Sequence, residues 1–316
     1  MSDRPPEAVL WDFLRGAMMT RALGIVADLK IAHKLADGPR TVDELAVDVD
    51  PDMLYRVLRA LASDGVFAEQ EARTFANTPT SQLLSDDSWT SFAHLFGDVF
   101  YDLIADLDVA VREGRATAAE TLEVDFWTWL KERPPERSAF DTAMGGGRER
   151  KAEQLATLEW KDGELVVDLG GGNGSLLKAF VERRPSVRGI VFDLPETVRD
   201  EAAFPPGLEF LAGDFFERVP PADTYVTSGI IHDWGDDDAG RMLQTVAANA
   251  RPGARFVALE SVIQPGNEPD GAKWLDLLML VLSGRERTEP EWRALFDANG
   301  FDVVRCENGL VEARCR

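Results

Sequence analysis

The strongest constraint on the fold of this 316-residue chain is eight residues long. Val167, Asp168, Leu169, Gly170, Gly171, Gly172, Asn173 and Gly174 close an apolar run that begins at Leu165, and a helical pattern from Ser175 follows directly. A glycine-rich turn between a strand and a helix lets a ligand approach bare backbone. The flanking pattern agrees with this reading. Short apolar runs at Leu165–Leu169, Arg188–Phe192, Leu208–Ala212, Thr224–Ile231 and Arg255–Ser261 alternate with helical runs at Leu176–Arg183, Thr197–Ala203 and Ala239–Ala250. This alternation predicts an α/β, Rossmann-like doubly wound parallel sheet, whose ligands bind beyond the carboxyl ends of the strands.

Residues just after each apolar run are therefore the candidates for chemistry. Asp193 ends the second strand, where it can accept hydrogen bonds from ribose hydroxyls, and Leu194 follows it. Asp214 and Phe215 end the third, suited to hydrogen-bond and to stack on an adenine ring. The fourth delivers Ser228 and then His232, one of three histidines. The glycine-rich turn alone is compatible with NAD or with S-adenosylmethionine. Two details favour S-adenosylmethionine. Asp168 precedes the first glycine, where a carboxylate attracts an ammonium and is awkward beside a pyrophosphate. The spacing is also GxGxG rather than the pyrophosphate-binding GxGxxG.

Six motifs together carry a specific resemblance: VDLGGGNG at 167–174, FDLPETV at 192–198, GDFF at 213–216, IHDWGDD at 231–237, LES at 259–261 and GRERT at 284–288. The chain resembles the class I S-adenosylmethionine-dependent small-molecule O-methyltransferases, typified by plant caffeate and chalcone O-methyltransferases and their bacterial natural-product relatives. The resemblance implies that His232 is the general base, flanked by Glu260 and Glu286. It also implies a cofactor site at Asp168, Gly170, Gly172, Gly174, Asp193, Leu194, Asp214, Phe215 and Ser228, with no metal. The expected acceptor is a hydroxyl, phenolic by preference, on an aromatic secondary metabolite. Phe140, Met144, Asp233, Trp274, Met279 and Leu280 are candidates for its pocket, with core packing the competing reading for the apolar ones.

Three departures stand near the expected pocket. Ser228, four residues before His232, occupies a position where plant members usually have a lysine near the adenine. The stretch from Met279 to Glu286 is shorter than in the plant enzymes, and Gly145–Gly147 replaces a bulkier helical segment. Plant phenylpropanoid substrates are accordingly not carried over. Some bacterial relatives with this fold perform decarboxylation or hydroxylation, and retention of His232 with both glutamates argues for methyl transfer instead.

The N-terminal part, residues 1–100, reads as a mostly α-helical, winged-helix-like dimerisation domain, and residues 101–316 as the methyltransferase domain with a helical linker at 101–160. Residues 8–36 have helical spacing, broken near Gly24 and Lys30. Thr41 with Glu44 matches a capping box, Asp50-Pro51 opens a helix through Leu61, and Val66–Ala68 with Thr74–Asn77 form a small ribbon. A winged helix invites a DNA-binding reading through Arg56 and Arg59. Asp37, Asp43, Glu44, Asp48, Asp50, Asp52 and Asp64 surround those arginines, and the chain carries 56 acidic against 34 basic residues, a formal charge of −22. Phosphate backbones need a basic stripe that this charge pattern lacks. The expectation is a homodimer interface built on the apolar first helices, with no nucleic-acid partner, rather than a cofactor-sensing regulator.

Trp89–Glu113 reads as a further apolar helical stretch, followed by an aromatic-rich bridge at Phe126–Leu130 and Phe140. Gly145–Gly147 would cost a continuous helix about 3 kcal/mol in propensity, so a kink or hinge is expected there. Cys306 and Cys315 show no metal or disulfide spacing. No export signal or membrane-spanning run is visible, so a cytoplasmic protein is expected.

Overall fold

The computed structural model describes residues 4–195, 197 and 205–316. The chain forms two compact units, residues 1–105 with 125–146 and residues 106–124 with 147–316. The expected linker at 101–160 is thus divided between them.

In the first unit, α1 (Pro6–Asp28) starts at a proline, whose missing N–H is not needed at a helix start. It ends where Lys30 turns left-handed, φ 52°. The break expected near Gly24 does not occur. Gly24 lies inside the helix because a Cβ there would stand 2.8 Å from the Cα of Gly97. After α2 (Ile31–Lys34) come β1 (Arg40–Thr41) and α3 (Val42–Leu45), opened by the predicted Thr41–Glu44 capping box. Helix α4 (Pro51–Ser63) is capped by Asp50, whose side chain accepts from Met53 N at 2.9 Å. Strands β2 (Phe67–Glu71) and β3 (Thr74–Asn77) complete an antiparallel sheet ordered β1-β3-β2, the wing of a winged helix. Ile31, Leu45, Leu58, Phe67 and Phe75 fill its core.

Helix α5 (Pro79–Gln82) leads to α6 (Asp87–Gly97) and α7 (Val99–Ile104), so the apolar stretch from Trp89 is not one helix. Its last part, α8 (Leu107–Glu113), belongs with α9 (Ala118–Thr121) to the second unit. Helices α10 (Phe126–Glu132) and α11 (Pro134–Met144) return to the first, where Phe126 packs on Phe100 at 5.8 Å and on Phe140 at 5.7 Å between ring centroids. One side of α1 leaves Leu10, Trp11, Leu14 and Met18 exposed, each by more than half. Apolar surface of that extent on a helix is suited to association.

The second unit resumes at Gly147, whose left-handed backbone separates α11 from α12 (Arg148–Ala156). The triple glycine therefore divides two helices. Strand β4 (Leu165–Leu169) is followed by α13 (Ser175–Arg183), β5 (Arg188–Asp193), β6 (Leu208–Ala212) and β7 (Thr224–Ser228). Of the helical run expected at 197–203, only Thr197 is among the described residues; Glu196 and Val198 of the FDLPETV motif also lie outside them. Then come α14 (Asp236–Asn249), β8 (Arg255–Leu259), β9 (Val262–Ile263), α15 (Gly271–Leu282), β10 (Arg287–Thr288), α16 (Glu289–Ala298), β11 (Phe301–Glu307) and β12 (Leu310–Cys315).

The main sheet is ordered β11-β12-β8-β7-β4-β5-β6. Its five strands from β8 to β6 are parallel, as expected, and the β11–β12 hairpin adds an antiparallel edge. Because β4 pairs with β5 on one side and β7 on the other, the chain reverses direction across the sheet at β4, which opens a crevice at its carboxyl end. Tyr225, Phe256, Trp292 and Phe296 pack one face, and Leu177, Phe180, Val226 and Val257 the other. Strand β7 stops earlier than expected. Gly229 has φ 63°, and Ile231–Asp233 form a 3-10 turn that lifts His232 out of the sheet.

Candidate active site

Asp168, on β4, is 1% exposed, and its Oδ2 has no hydrogen-bond partner among the described residues. Burial and the neighbouring Asp193 push its carboxyl up to about 7, with Lys151 pulling the other way. Gly171, which the sequence reading passed over, is what makes room for it, since a Cβ there would stand 2.9 Å from the Asp168 carboxylate. Gly170 and Gly172 take the left-handed backbone, with φ 69° and 57°, and Gly174 does so at the start of α13. The turn is tied to the next strand. Gly172 N donates to Asp193 Oδ2 at 2.8 Å, and Leu194 N to Asp193 Oδ1 at 2.7 Å, leaving the Leu194 side chain exposed. Asp214 Oδ1 accepts from Phe216 N at 2.8 Å, and Phe215 packs on Phe216 at 4.8 Å.

Ser228 carries an unexpected partner. Lys151 Nζ on α12 donates to Ser228 Oγ at 2.8 Å. Burial lowers the Lys151 ammonium while the charges of Glu260 and Asp168 support it. A signal for this residue existed in the sequence: Lys151 stands four residues before the apolar Leu155, which is buried on the inward face of α12.

His232 Nδ1 lies 2.6 Å from Glu286 Oε1, and the Glu286 side chain is fully buried. Glu260 does not bond the imidazole, contrary to expectation. Its Oε1 instead accepts from the backbone N–H groups of Ile230 and Ile231, both at 2.9 Å, and its Oε2 has no partner among the described residues. Register explains this: Ser228 pairs with Leu259, so Glu260 faces the amides that leave β7 rather than the ring beyond them. Asp233 Oδ1 is 3.5 Å from His232 Nε2, and burial lifts its carboxyl to about 7. Burial by itself would lower the His232 imidazole; the charges of Asp233 and Glu260 and the bond and charge of Glu286 outweigh it and raise it to about 10.

The remaining expected pocket residues are spread over both units. Phe140, half-buried, and Met144, exposed, sit on α11 of the first unit. On α15 of the second, Trp274 is 63% exposed, Leu280 is half-buried, and Met279 is buried in the packing. Among the described residues, no group of three or more His, Cys, Asp or Glu is arranged to hold a metal ion, and no helix is long and apolar enough to cross a membrane.

Comparison with known proteins agrees with this layout. Residues 104–302 match the O-methyltransferase domain, and residues 11–87 the O-methyltransferase dimerisation domain, which supports a homodimer. The chain is 33% identical to a phenazine O-methyltransferase of Lysobacter antibioticus, over 98% of this chain and 96% of that one. The solved mitomycin 7-O-methyltransferase superposes with a TM-score of 0.90 at 32% identity, covering 98% of each chain. An O-methyltransferase from neocarzinostatin biosynthesis, solved with S-adenosylmethionine and 2-hydroxy-5-methyl naphthoic acid, superposes with a TM-score of 0.84 at 26% identity, covering both chains fully. With a Rossmann-like unit, a helical dimerisation unit and matches to both family domains, the chain belongs to the S-adenosylmethionine-dependent O-methyltransferases of the natural-product type.

Proposed function

We propose that the chain methylates a phenolic hydroxyl of an aromatic small molecule, with His232 as general base. The observation that carries this reading is the buried pair of His232 Nδ1 and Glu286 Oε1 at 2.6 Å, beyond the carboxyl end of β7. A carboxylate that holds Nδ1–H leaves Nε2 as the acceptor and makes the ring a stronger base than free imidazole, which suits removal of a phenolic proton. Support for an aromatic acceptor comes from the naphthoic acid bound by the neocarzinostatin-pathway relative.

The residues fit S-adenosylmethionine. Asp168 Oδ2, buried and unpartnered, is an acceptor for an ammonium, while Lys151 and Ser228 offer a cation and a hydroxyl to a carboxylate. Asp193 keeps lone pairs for ribose hydroxyls beyond its bonds to Gly172 and Leu194, and Asp214 with Phe215 would hold the adenine. Gly170, Gly172 and Gly174 keep the approach free of side chains. When bound, this cofactor supplies a methyl group on a cationic sulfur.

Below about pH 10 the His232 ring of the protein alone carries a proton, held by the surrounding carboxylates. The deprotonated fraction of the ring, which grows as pH approaches 10, is the form that acts as a base. His232 then takes the hydroxyl proton at Nε2, and Glu286 stabilises the charge that develops. Glu260 acts on the backbone, holding the amides from which the His232 turn departs. Asp233, 3.5 Å from Nε2 and ionised above about pH 7, can accept a hydrogen bond from a polar substituent beside the hydroxyl.

The test is His232→Ala, assayed by S-adenosylhomocysteine release against a panel of phenolic acceptors, with cofactor affinity measured by titration calorimetry. Turnover should be abolished with affinity for S-adenosylhomocysteine nearly intact. Unchanged turnover would remove His232 as the base.

A further inference from the structure

The residue that follows Glu286 is, among the described residues, the largest charged side chain that is completely buried. Arg287 opens β10, is 0% exposed, and lies with its guanidinium 5.2 Å from the ring centroid of the equally buried Trp292. A guanidinium has five N–H donors in a fixed plane. Here the group makes four hydrogen bonds and one further close ion-pair contact. Nε and Nη2 reach Asp236 Oδ1 at 2.9 and 2.8 Å. Nη1 donates to the carbonyls of Arg285 at 3.1 Å and Ile231 at 3.3 Å, and Nη2 to the carbonyl of Trp234 at 2.9 Å.

Two of those carbonyls stand immediately on either side of the His232–Asp233 pair. The carbonyl between them, His232 O, accepts from Arg285 N at 2.7 Å, and Gly284 packs so closely on it that a Cβ would run into that oxygen. One short segment therefore grips the turn at three carbonyls, those of Ile231, His232 and Trp234, and carries Glu286 to the ring. Glu260 holds the turn from its other end, through the amides of Ile230 and Ile231. Ile231–Asp233 is a single 3-10 turn, joined to β7 through Gly229 in the left-handed region.

We propose that Arg287 is a positioning residue for the methyl transfer: by holding the carbonyls of Ile231 and Trp234, it fixes the orientation of the His232 imidazole against Glu286. This rests on the reading of His232 as the base. Lysine, with three donors on a flexible stem, cannot span the two carbonyls and Asp236 from one plane. Misplacement of a reacting group by about 1 Å can lower a rate about 100-fold.

The test uses Arg287→Lys and Arg287→Met in the full chain, read first on the imidazoles themselves. The chain has only three histidines, so ring carbon signals from labelled protein resolve His232 from His33 and His94, which report whether the remainder is folded. In both variants the His232 midpoint should fall by about one pH unit or more as its bond to Glu286 loosens. The His94 signal and the affinity for S-adenosylhomocysteine should stay within twofold. Turnover of whichever phenolic acceptor the wild type uses should drop at least tenfold, through kcat rather than KM. If Arg287→Met does not fold, Arg287→Lys alone decides. An unchanged His232 midpoint in Arg287→Lys would overturn the proposal, as would a parallel loss of the His94 signal and of cofactor affinity, which marks a purely structural role. If His232→Asn keeps turnover, the base assignment fails instead, while a shifted imidazole in Arg287→Lys would still locate the positioning contact.

Discussion

Replacing Glu286 with glutamine should lower the His232 pKa and the maximal rate together. The amide retains an oxygen that can accept from His232 Nδ1 across the present 2.6 Å, so tautomer and orientation are kept and only the charge is lost. Hydrogen bonds to charged groups contribute about 1.5–3 kcal/mol against about 1 kcal/mol for neutral ones, a difference of about 1–2 kcal/mol. At about 1.4 kcal/mol per pKa unit, the imidazole should fall by about one unit from its position near 10. Asp233 and Glu260 remain and should keep it above the usual histidine value. The same energy is withdrawn from the imidazolium that forms as the hydroxyl proton is taken, so the high-pH plateau of kcat should drop about tenfold. Ring carbon titration of His232 measures the first effect without any acceptor, and turnover between pH 6 and 10 with saturating cofactor measures the second. A His232 midpoint that stays in place or rises in Glu286→Gln would refute the reasoning, because a carboxylate bonded to Nδ1 can only favour the protonated ring.

Three further outcomes follow from other contacts. Because the Asp168 carboxyl is raised to about 7, its ionised form is lost below that pH, and affinity for S-adenosylhomocysteine should weaken about tenfold per pH unit there. Titration calorimetry on Asp168→Asn should give weaker, nearly pH-independent binding; a flat profile in the unchanged protein would contradict the assignment. In Gly24→Ala the new Cβ meets the backbone of Gly97 at 2.8 Å, and thermal or urea unfolding should show a loss of about 1–3 kcal/mol, with no loss if α1 and α6 can separate freely. His94 on α6 is bonded at Nδ1 to Asp28 at 2.7 Å and at Nε2 to Glu136 at 3.0 Å, chiefly the former raising its pKa to about 9 against burial. Its stabilising contribution is therefore complete below about pH 6.5 and disappears as pH rises through about 9. His94→Gln should lose about 1–2 kcal/mol at pH 7, allowing for partial exposure, and match the parent protein above pH 10.

Much of the second unit was legible before any coordinates because its signals are local. An apolar run of five, a glycine at each position that must turn left-handed, and a helical pattern directly after it locate β4 and α13 to within a residue. The Thr41–Glu44 capping box is likewise a contact three residues long. Gly24 shows where local reading fails: its helix propensity argues for a break, yet the close crossing with Gly97, 73 positions away in sequence by 97 − 24, keeps the helix continuous. The β11–β12 hairpin went unread for a similar reason, since its place beside β8 depends on an antiparallel pairing across the molecule.

At the site the division is the same. The sequence by itself determined the chemistry present: a lone histidine and two glutamates in motifs, and an aspartate ahead of a glycine-rich turn. Only the tertiary structure decided which atoms meet. His232 and Glu286 are 54 residues apart, Lys151 and Ser228 77, and whether a carboxylate reaches a ring or a backbone amide is set by strand register and by the turn that follows it. Glu260, one residue past β8, meets amides; Glu286, carried by a segment that Arg287 anchors beneath the turn, meets the imidazole. Side-chain identity travels with the chain, but distances of 3 Å between remote residues exist only once the core has fixed the backbone.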